Sequence, residues 1–165
     1  MTFLETDLGW VTQQAGIALA IVGISAVAGR ILWGVVADAT GQSNALIILL
    51  AFVMAGITIL TGFVDSNWST YRIFVLCACF GATGAAWNGI YLAEITRTVQ
   101  DKDVSRATGG GLFVTFFGVV VGPPAFGLIV TLTNSFQAAY LFLGSATLLI
   151  GMILLLSLTT SKEKS

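Results

Sequence analysis

Residues 29–46 read GRILWGVVADATGQSNAL, and the fold follows from them. An apolar helix runs into this stretch and stops in a Gly–Asp–Gly turn, and a second apolar helix starts directly after it. Arg30, Gly34 and Asp38 are spaced four apart, so they share one face of a helix. Asp38 is expected at a membrane edge. Gly41 permits a sharp reversal within a turn over 39–44, and hydrocarbon resumes at Ala45.

The rest of the chain has the same character. It is 56% hydrophobic and 9% charged, with no His, whereas a soluble domain is roughly a quarter charged. That composition belongs to a membrane protein, and the bilayer is its first partner. Five apolar runs, at about 11–37, 45–63, 71–95, 107–131 and 136–158, are each long enough to span. About 20 helical residues at about 1.5 Å each match a hydrocarbon core of about 30 Å. The expected fold is all-α, a polytopic membrane bundle of five transmembrane helices with a hydrophilic tail over 159–165. The first ten residues, MTFLETDLGW, are acidic and lack the basic start of a signal peptide.

Several function classes fall away. A net charge of −1 argues against nucleic acid. Cys77 and Cys79, two residues apart on a helix, point to different faces; they neither bridge nor make a metal site, and both read as small packing residues. No metal or other cofactor is expected. An intramembrane enzyme lacks its parts, since there is no His, no intramembrane acid pair and no nucleophile beside a base. Asp38 and Glu94 stand at the membrane edge, so no mid-membrane proton site is expected. The basic residues set the orientation. Arg30, Arg97, Lys102, Arg106, Lys162 and Lys164 fall on one side and Arg72 alone on the other, which places the N-terminus outside and the C-terminus in the cytoplasm.

Residues 34–41, GVVADATG, resemble the signature loop of the major facilitator superfamily of secondary transporters, Gly-x-x-x-Asp-(Arg/Lys)-x-Gly-(Arg/Lys). Ala39 and Gln42 depart from it where the family usually has a basic residue. The family fold has twelve helices in two halves of six, with the loop after the second helix of each half. Five helices with the loop after the first match helices two to six or eight to twelve. The short basic tail, the sequence GRILWG at 29–34, and EITR at 94–97 followed by TGG at 108–110 and GPP at 122–124 favour eight to twelve of a bacterial member. The resemblance covers residues 1–165 as a partial C-terminal half. It implies a multi-pass protein of the bacterial inner membrane, not an enzyme, moving a small solute by alternating access. The first half of the fold, or another copy, is then needed to complete a pathway. The alternative is a non-transporting fragment or helical subunit that packs with other membrane proteins.

Four constellations carry these expectations. Arg30, Gly34, Asp38 and Gly41 read either as a conformational latch or as a helix-end acid, a turn glycine and a snorkelling arginine. Glu94 and Arg97, three apart at a helix end, are expected to join Asp38 and Arg106 in one cytoplasmic charge cluster, with Arg30, Arg97 or Arg106 serving Asp38. The bland reading is solvated helix-end charge, worth under about 1 kcal/mol per pair. Gly109, Gly118 and Gly122 suggest close helix packing, and Pro123 and Pro124 a kink that frees carbonyls near Val119 and Val120. Gly23, Ser25, Gly29 and Gly34 likewise admit a neighbouring helix. Ser25, Trp87, Asn88, Tyr91, Thr115 and Phe116 are candidate cavity residues, with plain packing as the alternative for each; Asn88 leads, because exposing its amide to lipid is costly.

Overall fold

The computed structural model describes residues 2–163, without the side chains of Thr96, Asp101 and residues 161–163. Lys164 and the side chain of Lys162, counted above in the basic tail, lie outside the described residues. The described chain is entirely helical: α1 (Thr2–Thr6), α2 (Thr12–Thr40), α3 (Ser43–Thr61), α4 (Thr70–Gly84), α5 (Trp87–Thr98), α6 (Asp101–Thr133) and α7 (Phe136–Glu163). Five stretches are long and apolar enough to cross a membrane: Thr12–Thr40, Ser43–Thr61, Thr70–Ile95, Lys102–Thr133 and Phe136–Thr160.

The helices pair as α2 with α4 and α3 with α7, and α3 and α4 join the two pairs at the centre. α6 stands at the side, against α5 and α7. In lipid there is no hydrophobic force between helices, so association depends on close fit and on hydrogen bonds. The α2–α4 seam supplies that fit. A Cβ added at Gly29 would lie 2.2 Å from the carbonyl oxygen of Ala82, and one added at Gly81 would lie 2.2 Å from that of Val22. Two glycines, one on each helix, thus bring the backbones into contact. A Cβ at Gly23 or Gly34 would meet no atom within 4 Å, so of these three α2 glycines it is Gly29 that makes the close approach.

Two apolar clusters fill the interior. One holds Ala37, Leu46, Leu50, Ala86 and Ile90, with Trp33 and Trp87 packed against it. The other, at the opposite end, holds Val64, Ile73 and Leu76 with Phe3, Leu4 and Trp10. Here the short α1 folds inward, its Phe3 ring 5.7 Å from Phe136 and 5.4 Å from Tyr140. The acidic character of the first ten residues gives no sign of this packing.

Helix ends differ from expectation in three places. α2 continues to Thr40 and ends at Gly41, whose φ of 64° and N–H bond to the Ala37 carbonyl at 2.9 Å stop the helix abruptly. The turn is therefore Gly41–Gln42 rather than 39–44. α6 starts at Asp101, well before residue 107, because its charged first turns are also helical. The third span, read as one helix over 71–95, is interrupted at Ala85–Ala86. The kink expected at Pro123 and Pro124 does not interrupt the helix: α6 runs continuously through both.

The seam predicts a contrast between two glycine substitutions. Gly81→Ala drives a methyl group into backbone and should lower stability by about 1–3 kcal/mol, whereas Gly23→Ala enters open space and should be neutral. Thermal unfolding of both variants in detergent, beside the parent, measures it.

Candidate functional site

Two features stand out, a charge pair at one end of the bundle and a groove beside α5. Asp38 occupies the last turn of α2 and Arg97 the last turn of α5. Arg97 Nη2 donates to Asp38 Oδ1 at 2.7 Å. The two side chains are 46% and 70% exposed respectively. A charge-assisted hydrogen bond of this length is well formed, yet an ion pair so open to water is worth about 0–1 kcal/mol. The contact holds two helix ends together and breaks cheaply.

Of the three arginines considered for Asp38, Arg97 makes the contact. Glu94 is half-buried and Arg106 exposed, and among the described residues no ion pair joins either to Asp38 or Arg97. The expected four-charge cluster is thus a pair with two bystanders. Arg30 is also exposed and without an ion pair among the described residues. It shares the helix face of Asp38 but sits two turns deeper, too far along the axis to reach it.

The groove lies between α5 and α6, with a volume of about 710 Å³. Trp87, Asn88 and Tyr91 line one wall; Gly110, Gly111, Thr115 and Gly118 line the other. Spacings of three and four put Trp87, Asn88 and Tyr91 on one side of α5. Gly111 makes room for Tyr91: a Cβ there would lie 2.8 Å from the phenol oxygen. The rings of Trp87 and Tyr91 are 6.3 Å apart and inclined at 53°. Thr115 donates its hydroxyl to the Gly111 carbonyl at 2.9 Å, so its oxygen keeps the capacity to accept. Among the described residues, the Asn88 amide has no hydrogen-bond partner. No charged residue lines the groove. Its chemistry is therefore hydrogen bonding and aromatic contact.

Four of the cavity candidates thus come together: Trp87, Asn88, Tyr91 and Thr115. Ser25 does not join them; it falls between Val22 and Gly29 on the α2 stripe that meets α4. Phe116 is 62% exposed and outside the groove. The packing role read for Gly109, Gly118 and Gly122 is not realised within the chain, where a Cβ at any of them meets nothing within 4 Å. The reason is that α6 touches its neighbours along its edges and has no buried residue in its span. Gly118 is instead part of the groove wall.

Two features had no counterpart in the sequence reading. Trp33 on α2 donates its indole N–H to the Ala82 carbonyl at 3.1 Å; a tryptophan one turn after Gly29 on an apolar helix was the available signal. A second, apolar cavity of about 230 Å³ sits at the α1 end, lined by residues such as Phe3, Ala18, Cys77 and Tyr140. Among the described residues no group of His, Cys, Asp and Glu side chains is placed to hold a metal ion.

The family model for the Major Facilitator Superfamily matches residues 1–165. Curated relatives include monocarboxylate transporter 9 of Gallus gallus, 27% identical over 139 residues, which are 84% of this chain and 27% of the relative. Monocarboxylate transporter 13 of Rattus norvegicus is 27% identical over 152 residues, 92% of this chain and 35% of the relative. An uncharacterized MFS-type transporter of Mycobacterium tuberculosis is 27% identical over 144 residues, 87% of this chain and 32% of the relative. The chain therefore spans about a quarter to a third of the length of the relatives it matches. No solved structure matches it.

The exposure of the charge pair carries its own prediction. Asp38→Asn and Arg97→Gln should each change the unfolding free energy by less than about 1 kcal/mol. A double-mutant cycle in detergent, run at low and high salt, should give a small coupling that shrinks as salt rises.

Proposed function

The chain belongs to the major facilitator superfamily, and from that membership we propose that it forms the C-terminal part of a permease moving a small solute by alternating access. The Asp38–Arg97 contact is the observation that carries the mechanism. It ties the last turns of α2 and α5 together at one end of the bundle, and its low net worth suits a contact that must part once per cycle. With the pair closed, that end is held shut. With it open, α5 is free to move, and with it one wall of the groove.

The solute is a small monocarboxylate. The relatives that carry that substrate in their names support this reading, and so does the placement of Arg30. Arg72, Lys102 and Arg106 stand within four residues of a span end, while Arg30 stands ten residues inside the end of its own at Thr40. A cation at that depth is costly unless it serves a function, and a carboxylate needs a counter-charge that the neutral groove lacks. Asn88, Tyr91 and Thr115 would then hold the uncharged part of the solute. The opposing wall comes from an N-terminal half or a second copy. The charged end, with Asp38, Arg97, Lys102 and Arg106, faces the cytoplasm of a bacterial inner membrane, as the positive-inside rule directs. A helical subunit that moves nothing is the competing reading.

Uptake of a radiolabelled monocarboxylate into proteoliposomes tests this, with the chain supplied together with an opposing half. Arg30→Gln should raise KM more than about tenfold, the worth of one charged hydrogen bond. Asp38→Asn should cut uptake by up to about fivefold, the most that a contact worth under about 1 kcal/mol can shift, with protein levels intact. Full uptake with Asp38→Asn refutes the latch, and an unchanged KM with Arg30→Gln refutes the carboxylate site.

A further inference from the structure

The interruption between α4 and α5 has no proline to explain it, since residues 70–98 contain none. Sharp bends in helices otherwise arise at Gly/Ser pairs, at π-bulges, or where a side chain or water enters the hydrogen-bond ladder. Here the ladder slips at Ala85 and Ala86, whose N–H groups both turn to the Thr83 carbonyl. In an unbroken helix the Ala86 N–H would bond the Ala82 carbonyl, four residues back. It instead donates to the Thr83 carbonyl at 3.4 Å. That leaves the Ala82 oxygen without its backbone donor, and the Trp33 indole N–H fills the place at 3.1 Å. We infer that Trp33 is a positioning residue: its indole replaces the missing backbone hydrogen bond at Ala82, and so sets the bend that presents Trp87 and Asn88 to the groove.

The surroundings fit this role. Gly29, one helical turn before Trp33, lies so close to Ala82 that a Cβ would stand 2.2 Å from the same carbonyl oxygen. The glycine lets the two backbones meet, and the tryptophan four residues on supplies the donor. Gly29 and Trp33 together grip one peptide group of α4. Thr83 adds to the local bending by donating its hydroxyl back to the Cys79 carbonyl at 2.8 Å. In lipid a carbonyl left unpaired is costly, so the bend persists only while a substitute donor is present.

The consequence reaches the far end of α5. Before the break, α4 is locked to α2 through Gly81. After it, α5 carries the groove residues and then Arg97, which returns to α2 at Asp38. α2 thus holds the bent span twice, at a half-buried pivot and at an exposed tip. The tip is the part that releases; the pivot fixes the direction in which α5 moves. That last step rests on the transport reading, whereas the bend itself does not.

Amide exchange of the chain in detergent micelles, read residue by residue by NMR, tests the inference. In Trp33→Phe the ring remains but the donor is gone, so the Ala86 N–H should return to Ala82. Its exchange should slow by about tenfold relative to its neighbours, about the worth of one backbone hydrogen bond, even if overall protection falls. Exchange at Ala86 that is unchanged or faster relative to its neighbours overturns the inference, because a purely packing role loosens the region without healing it. A measurement on the unsubstituted protein guards against a variant that fails to fold. The Trp33 indole proton should exchange at least about tenfold more slowly than those of Trp10, Trp68 and Trp87, which donate no hydrogen bond among the described residues. Equal rates overturn the inference. Neither readout involves a solute, so either can fail while the transport reading stands.

Discussion

The contact of α2 with α4 at Gly29 and Gly81 brings two helix backbones together where lipid would otherwise intervene. Apolar side chains gain nothing by leaving hydrocarbon for one another, so this close fit must do what a hydrophobic core does in water. Its consequences run along both helices. It places Trp33 against the Ala82 carbonyl. It orients α5 past the break, and it brings the end of α5 back to the end of α2. α3 and α7 form the second pair, with Gly144 pressed against Ile59, and the two pairs meet through α3 and α4.

Polar groups are distributed by what each position costs. At the bundle end, Asp38 and Arg97 pair in contact with water, where forming and breaking are nearly balanced. Within the span, polar side chains mostly satisfy themselves locally: Thr58, Thr61, Thr83 and Thr115 each donate to a carbonyl four residues back. Asn88 and Arg30 depart from that pattern, as do Ser25 and the buried Ser43 hydroxyl: among the described residues none has a side-chain partner within the chain. Groups that a membrane makes expensive and the fold leaves open are where a solute or an opposing protein surface is to be sought.

Much of this was legible in the sequence, and the rest failed for physical reasons. The five spans follow from apolar length alone, and Gly41 from the need for a left-handed residue at an abrupt helix end. Trp87, Asn88, Tyr91 and Thr115 were singled out as polar or aromatic residues among aliphatic ones, and they share a groove. What misled was local logic applied to a tertiary matter. The kink expected at Pro123 and Pro124 leaves α6 continuous, whereas the interruption that no proline marks falls at two alanines, where Trp33, on another helix, supplies a competing donor. Glycines on α6 look like packing residues, but whether a glycine is approached depends on which helix lies opposite, and α6 has few neighbours in this chain. Likewise, Arg30, Arg97 and Arg106 were all considered as partners for Asp38; helix rise alone excludes Arg30, and the fold of α5 against α2 selects Arg97.

The proposed latch makes the Asp38–Arg97 end the moving part of the molecule, and distance is its direct observable. Spin labels at the exposed positions Thr40 and Thr98, with Cys77 and Cys79 replaced by alanine, report the separation of α2 and α5 at that end. The measurement is made on the chain assembled with its opposing half in lipid, with and without a monocarboxylate. The account predicts two distances whose populations shift when solute is added. A single distance that is the same in both conditions would contradict it.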